Sequence, residues 1–228
     1  MRFRQQSDIS MNAGWFLLVF ALAALIYGWA TRAHGAPPAQ ITISPADLGP
    51  WREQAFVGRT LYRTEDGGEG RALHATAHGS ASALCETVQL DLKTIPMVRW
   101  TWRLERSPPR TDERERAGDD QGLRLSFLHR GGTALGSVLA VQYVWSQNEP
   151  VGATWANAFV PNAHEVVARS GPALPGTWKA EQRDLKADFR AAFGQDIDRV
   201  DAACIMTDGD QTGALVEGWY GAITLQAR

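Results

Sequence analysis

The sequence predicts an all-β domain, two sheets packed face to face as a β-sandwich or jelly roll, with one short helix near 185–193 and an apolar helix at the N-terminus. Three observations predict it. Beyond residue 36, apolar residues recur at every second position, the period of a strand that buries one face. Glycine- and proline-rich turn signals cut the chain into short pieces: DGGEG from 66, HGS from 78, RGG from 130, SGPALPG from 170 and DGD from 208. Only one segment of this region has helical spacing. Many short strands with few helices are the pattern of a sandwich.

The elements follow in chain order. Arg2 and Arg4 precede an uncharged, largely apolar stretch at 13–31, and AHGAPPA follows Arg32. A positive head, an apolar body and a small-residue exit describe a signal peptide, with Ala33 and Gly35 as the small residues before the cut. The stretch is also about as long as a bilayer core requires, so residues 1–35 read either as a cleaved leader or as a retained anchor in the inner membrane. Both place residues 36–228, one β-sandwich domain, in the periplasm or outside the cell. Contact with a membrane is expected through that segment alone.

Within the domain, VRWTWRL (98–104) puts Val98, Trp100, Trp102 and Leu104 on one face; GLRLSFL (122–128) does the same with Leu123, Leu125 and Phe127. LAVQYVW (139–145) sets Leu139, Val141, Tyr143 and Trp145 opposite Ala140, Gln142 and Val144. Further strands are expected at 60–63, 71–76, 83–92, 164–168, 200–206 and 219–225. Leu185, Phe189, Ala192 and Phe193 share a helical face, with Asp184 to cap its start and Gly194 to stop it. The segment 105–118, ERSPPRTDERERAG, has mixed charges and two prolines without an apolar anchor, and reads as a solvated excursion.

Composition excludes several classes of function. The chain is 44% hydrophobic, too apolar for a disordered scaffold. Its formal net charge is −2, which leaves no cationic surplus to displace counterions from nucleic acid. Two cysteines support neither a zinc cluster nor a disulfide mini-protein. Cys85 and Cys204 fall in expected strands, and the sequence allows either a bridge between them or two buried thiols.

WTW at 100–102, GDDQGLRLSF at 118–127, QYVW at 142–145, Trp178 with QRDLKADFRAAFG at 182–194, and IMTDGDQTGALVEGWYGAITL at 205–225 come in an order that resembles the bacterial domain-of-unknown-function 3047 family. The resemblance covers nearly all of the exported part. It implies a galactose-binding-like jelly roll, similar in its last strands to sugar-binding modules, and it brings no settled activity. Ala222 departs from the acidic residue that members usually carry just before the last strand's isoleucine.

Chemistry-bearing residues gather in three places. Asp119 and Asp120 stand where the charged excursion meets a strand, with Arg124 four residues beyond Asp120; a guanidinium beside carboxylates can grip a hydroxyl or carboxylate, and equally can close the strand start as an ion pair. Asp208 and Asp210 flank Gly209, a set of hard oxygens that suits calcium and equally a turn held by side-chain-to-backbone bonds. Trp145 ends its strand at the mouth of a long polar stretch, 146–164, that contains Trp155 and Asn157, where an aromatic face could stack on a sugar. These residues favour non-catalytic binding of a carbohydrate or another small polar ligand by an envelope protein. One alternative is a glycoside hydrolase or lyase that pairs Asp120 with Asp208 or Asp210. The other is a purely structural protein. No cofactor other than calcium is suggested.

Overall fold

The computed structural model describes residues 40–131 and 138–228; the signal-peptide or anchor reading of the N-terminus lies outside the described residues. Two sheets form a sandwich, as expected. One contains β1 (Gln40–Ile43), β3 (Leu61–Asp66), β4 (Arg71–His78), β6 (Met97–Arg106), β11 (Lys179–Asp184) and β13 (Leu215–Gln226), in the order β11-β6-β13-β4-β3 with β1 paired to β13. The other contains β2 (Arg52–Val57), β5 (Ala81–Asp91), β7 (Arg124–Arg130), β8 (Val138–Ser146), β9 (Thr154–Ala156), β10 (Ala163–Ser170) and β12 (Arg199–Asp208), in the order β2-β5-β12-β7-β8-β10-β9. Every pairing is antiparallel except that of β10 with β8. No described helix is long and apolar enough to cross a membrane.

Side-chain parity builds the core as the sequence indicates. Trp100 and Trp102 of β6 face Tyr143 and Trp145 of β8, with Trp100 stacked on Tyr143 at 5.0 Å and Trp102 tilted against Trp145 at 6.0 Å. Such rings bury large apolar areas, but their polar atoms need partners. Tyr143 donates to Asp188 Oδ2 (2.7 Å), Trp102 to Glu181 Oε1 (3.1 Å) and Trp145 to the Gly171 carbonyl (2.8 Å). Helix α1 (Leu185–Phe193) closes one end of the core with Leu185 and Phe189 fully buried. Its caps are those expected: Asp184 accepts from Ala187 N–H, and Gly194 takes the left-handed conformation at φ 68°.

The four strands not anticipated, β1, β2, β9 and β11, are short and mostly exposed or half-buried. The charged excursion is also less solvated than its composition suggests. Glu113 is 2% exposed because its carboxylate accepts from the Gln147 N–H (2.6 Å), while Arg114 grips Glu149 and stacks over Trp155 at 5.0 Å.

Of the two alternatives for the cysteines, the bridge is the one that forms. Cys85 and Cys204 are direct cross-strand partners on β5 and β12, with Cα atoms 4.1 Å apart and 119 positions between them in sequence. Closing so long a loop restricts the unfolded chain, so reduction, or the double change Cys85→Ala and Cys204→Ala, is expected to destabilise the fold by about 2–4 kcal/mol. Chemical denaturation with and without reductant measures this directly.

Candidate functional site

The seven-stranded sheet turns its inner face to the core and its outer face to a groove, and strand register decides what lines that groove. Cys85, Cys204, Ser126, Gln142 and Glu165 are successive cross-strand partners from β5 to β10. Beside them runs Ala83, Met206, Arg124, Val144 and Val167; on the other side run Ala202, Leu128, Ala140 and Ala163. The small residues in these rows leave space above the sheet. The cavity encloses about 90 Å³, several times the roughly 10–15 Å³ that one water needs. Phe56 of β2 bounds it on one side, Val160 and Asn162 of the β9–β10 loop on the other, and Asp119, Arg124, Asn157 and Asp208 form a polar end.

That end is organised around one guanidinium. Arg124 is 6% exposed, and its Nη2 lies 3.3 Å from Asp208 Oδ2 and 3.6 Å from Asp119 Oδ1, and also donates to Gln121 Oε1. Nη1 is 3.9 Å from Glu165 Oε1. Burial opposes the Arg124 charge, but Asp208, Glu165 and Asp119 outweigh it and hold the group protonated beyond the ordinary arginine range. Asn157 bridges two of the carboxylates, donating to Asp119 Oδ2 (3.0 Å) and Glu165 Oε1 (2.9 Å). Arg124 Nε, Gln142 Oε1 and Glu165 Oε2 have no protein partner. The first two belong to residues that line the cavity.

The expected site residues divide accordingly. Asp119, Arg124 and Asn157 line the cavity together. Asp120 sits behind it as a clamp: its carboxylate accepts from the Gln211 N–H (3.1 Å), the Thr212 N–H (2.8 Å) and the Thr212 hydroxyl (2.5 Å), tying the start of β7 to the turn after β12. The two tryptophans do not meet the cavity. Trp145 has the parity of Val141 and Tyr143 and lies in the core at 1% exposure. Trp155 is on the outer face but packs against Val144 and Val167 beneath Arg114. Gln121, Gln142 and Glu165 were not anticipated. Glu165 is an acid of outward parity in the strand AHEVVARS, but only the register between strands brings it to Arg124.

Carboxylate oxygens of Asp120, Asp208 and Asp210 approach within 4.8 Å of one another. Each of them also has protein partners, as in a clamped turn. Asp120 accepts three protein donors, Asp208 accepts from the Gln121 N–H (3.1 Å) beside the Arg124 guanidinium, and Asp210 accepts from Gln211 Nε2 (2.6 Å). Of these acids Asp208 lines the cavity, whereas the Asp120 carboxylate turns to the 211–212 backbone. Asp120→Asn turns an amide donor toward backbone donors and is expected to cost about 1–3 kcal/mol, with millimolar calcium or chelator leaving the melting temperature unchanged. Thermal melts test both.

The cluster also makes stability depend on pH. Burial pushes Glu165 up to about 7 against the pull of Arg124, and burial raises Asp119 and Asp208 as well. A carboxyl whose value is raised on folding binds its proton more tightly in the folded state. Its contribution is therefore complete below about 4.3, the ordinary glutamate value, and is lost as pH rises through about 7. The melting temperature should fall between about pH 5 and about pH 8, and Glu165→Gln should flatten part of that slope.

Comparison with known proteins places this geometry. The fold resembles the family 11 carbohydrate-binding module of a cellulosomal cellulase of Clostridium thermocellum, with 10% identity and a TM-score of 0.50 over 86% of this chain and 97% of that one. A family 30 carbohydrate-binding module from a second cellulosomal cellulase of that organism matches with 10% identity and a TM-score of 0.41, over 86% and 95% of the two chains. The TmCBM61 module in complex with β-1,4-galactotriose matches with 10% identity and a TM-score of 0.40, over 80% and 92%. At 10% identity the first of these likenesses shows a shared fold and nothing further. No curated protein sequence matches the chain. The family model for proteins of unknown function designated DUF3047 matches residues 49–224, and the chain belongs to that family.

Proposed function

We propose that the protein binds a carbohydrate or similarly hydroxyl-rich ligand in the groove on the outer face of the seven-stranded sheet, and does so without transforming it. The observation that carries this reading is the polar end of the cavity. There a buried guanidinium is held by three carboxylates while its Nε, and the nearby Gln142 Oε1, remain without protein partners. Buried polar atoms ordinarily find partners, and a hydroxyl, which donates and accepts, can serve both. The fold supports the reading by likeness, since the family 11 module named above is a carbohydrate-binding one. Hydrolysis by paired aspartates has no comparable support, because Asp120 faces the 211–212 backbone and not the groove.

The same reading puts the protein outside the cytoplasm, in the periplasm or tethered to the inner membrane by residues 13–31. The Cys85–Cys204 bridge supports this location, because such bonds persist in oxidising compartments. Fractionation of cells expressing the full chain tests it: recovery with the periplasm or the membrane is expected, and recovery of a reduced protein with the cytosol would contradict it.

Binding is tested by calorimetric titration against a panel of envelope and plant glycans. The control is Ala140→Leu, which fills the cavity without touching the charged cluster. Wild type should bind at least one glycan at millimolar concentration or better, and the variant should lose at least tenfold in affinity while melting normally. Binding that survives the variant unchanged would place the ligand elsewhere.

A further inference from the structure

We infer that the ligand of this groove is an amphiphile, a hydroxyl-bearing head joined to an alkyl or acyl chain, with the head at Arg124 and the chain along the Cys85–Cys204 floor. The inference rests on the groove being the ligand site and adds the class of ligand. An antiparallel sheet usually turns polar residues to solvent. Here the outward face carries an apolar cluster instead, in which Leu128, Ala140, Met206 and the disulfide pack together with Phe56 and Val160 against them. Among the described residues that line the cavity Phe56 is the only aromatic ring, and it packs against the apolar cluster rather than at the polar end. Sugar hydroxyls laid against alanine, methionine and disulfide sulfur would lose their water and gain no partner. A hydrocarbon chain would lose nothing there, and it gains about three- to fourfold in affinity for each methylene it buries.

The head is selected by charge. Arg124 is the only cationic residue among those described as lining the cavity, and Asp119, Asp208 and Glu165 already lie against it, so a carboxylate or phosphate head finds no free cation there. The free atoms ask for a group that both donates and accepts: Arg124 Nε lacks an acceptor and Gln142 Oε1 lacks a donor. An uncharged hydroxyl can supply either, and a head that bears several can supply both, beside the apolar floor of the same cavity.

The test is calorimetric titration of the folded, oxidised protein, below micelle-forming concentrations, with methyl, butyl, hexyl and octyl glycosides of glucose, galactose and maltose. The free sugars and octanoate are run beside them. Affinity should climb about three- to fourfold per methylene, with octyl glycosides far ahead of both the free sugars and octanoate. Leu128→Thr should weaken the octyl glycosides far more than the methyl glycosides and so flatten the dependence on chain length. Equal affinity for methyl and octyl glycosides, or for octanoate and octyl glycosides, would overturn the inference and leave glycan binding in the groove intact. If no glycan binds in any form, both readings fail together.

Discussion

A guanidinium removed from water has to be compensated, and the end of this sandwich is arranged around that requirement. An isolated buried charge costs several kcal/mol even after relaxation, so Arg124 holds its position only because carboxylates from three separate segments come with it. Asp119 belongs to the loop before β7, Asp208 ends β12, and Glu165 stands on β10. Gln121 and Asn157 serve these carboxylates with amide donors, and Asp120 anchors the 211–212 turn behind them. Removing the arginine would leave acids buried without a counter-charge, so the cluster fixes several loops at the cavity with one interaction.

The two outward faces of the sandwich show why this cavity lies on one of them. On the six-stranded sheet, Arg103 is held between Trp178 (5.1 Å) and Trp219 (4.7 Å), and His74 stacks on the far side of Trp219 at 4.2 Å. Arg103 is further fixed by Glu105 and the Gly67 carbonyl, and His74 by Glu217. Trp219 is thus covered by its own neighbours. On the seven-stranded sheet the corresponding positions carry alanine, serine and a disulfide, which pack the floor but cannot fill the space above it. Tryptophans that look available in the sequence are used for packing, and the opening appears where the side chains are small.

Much of this was legible in the residues. Period-two alternation located the long central strands β4, β5, β6, β7, β8, β10, β12 and β13, because each buries one face and the pattern records it. The helix was legible to its ends, since Asp184 and Gly194 state its caps. Edge strands β2 and β9 and the short β1 and β11 left no such record: half-exposed and paired through backbone atoms, they place little demand on side-chain order. At the site, Asp119, Arg124 and Asn157 were recognised from charge and local composition, whereas Glu165 and Gln142 depend on register between strands distant in sequence. Trp145 was misassigned because the sequence does not say where a strand stops being core, and β8 stays buried through Ser146.

Register, small side chains and one compensated charge together produce an apolar floor that ends in a polar socket. The most direct measurement is the map of backbone amide shifts in heteronuclear magnetic resonance as octyl glucoside is added to the isotope-labelled protein. On this account the perturbed amides cluster on β7, β8, β12 and the 157–162 segment, with Arg124 and Asn157 among the largest. Perturbation centred on Arg103, Trp178 and Trp219 of the opposite sheet, with the groove silent, would contradict it.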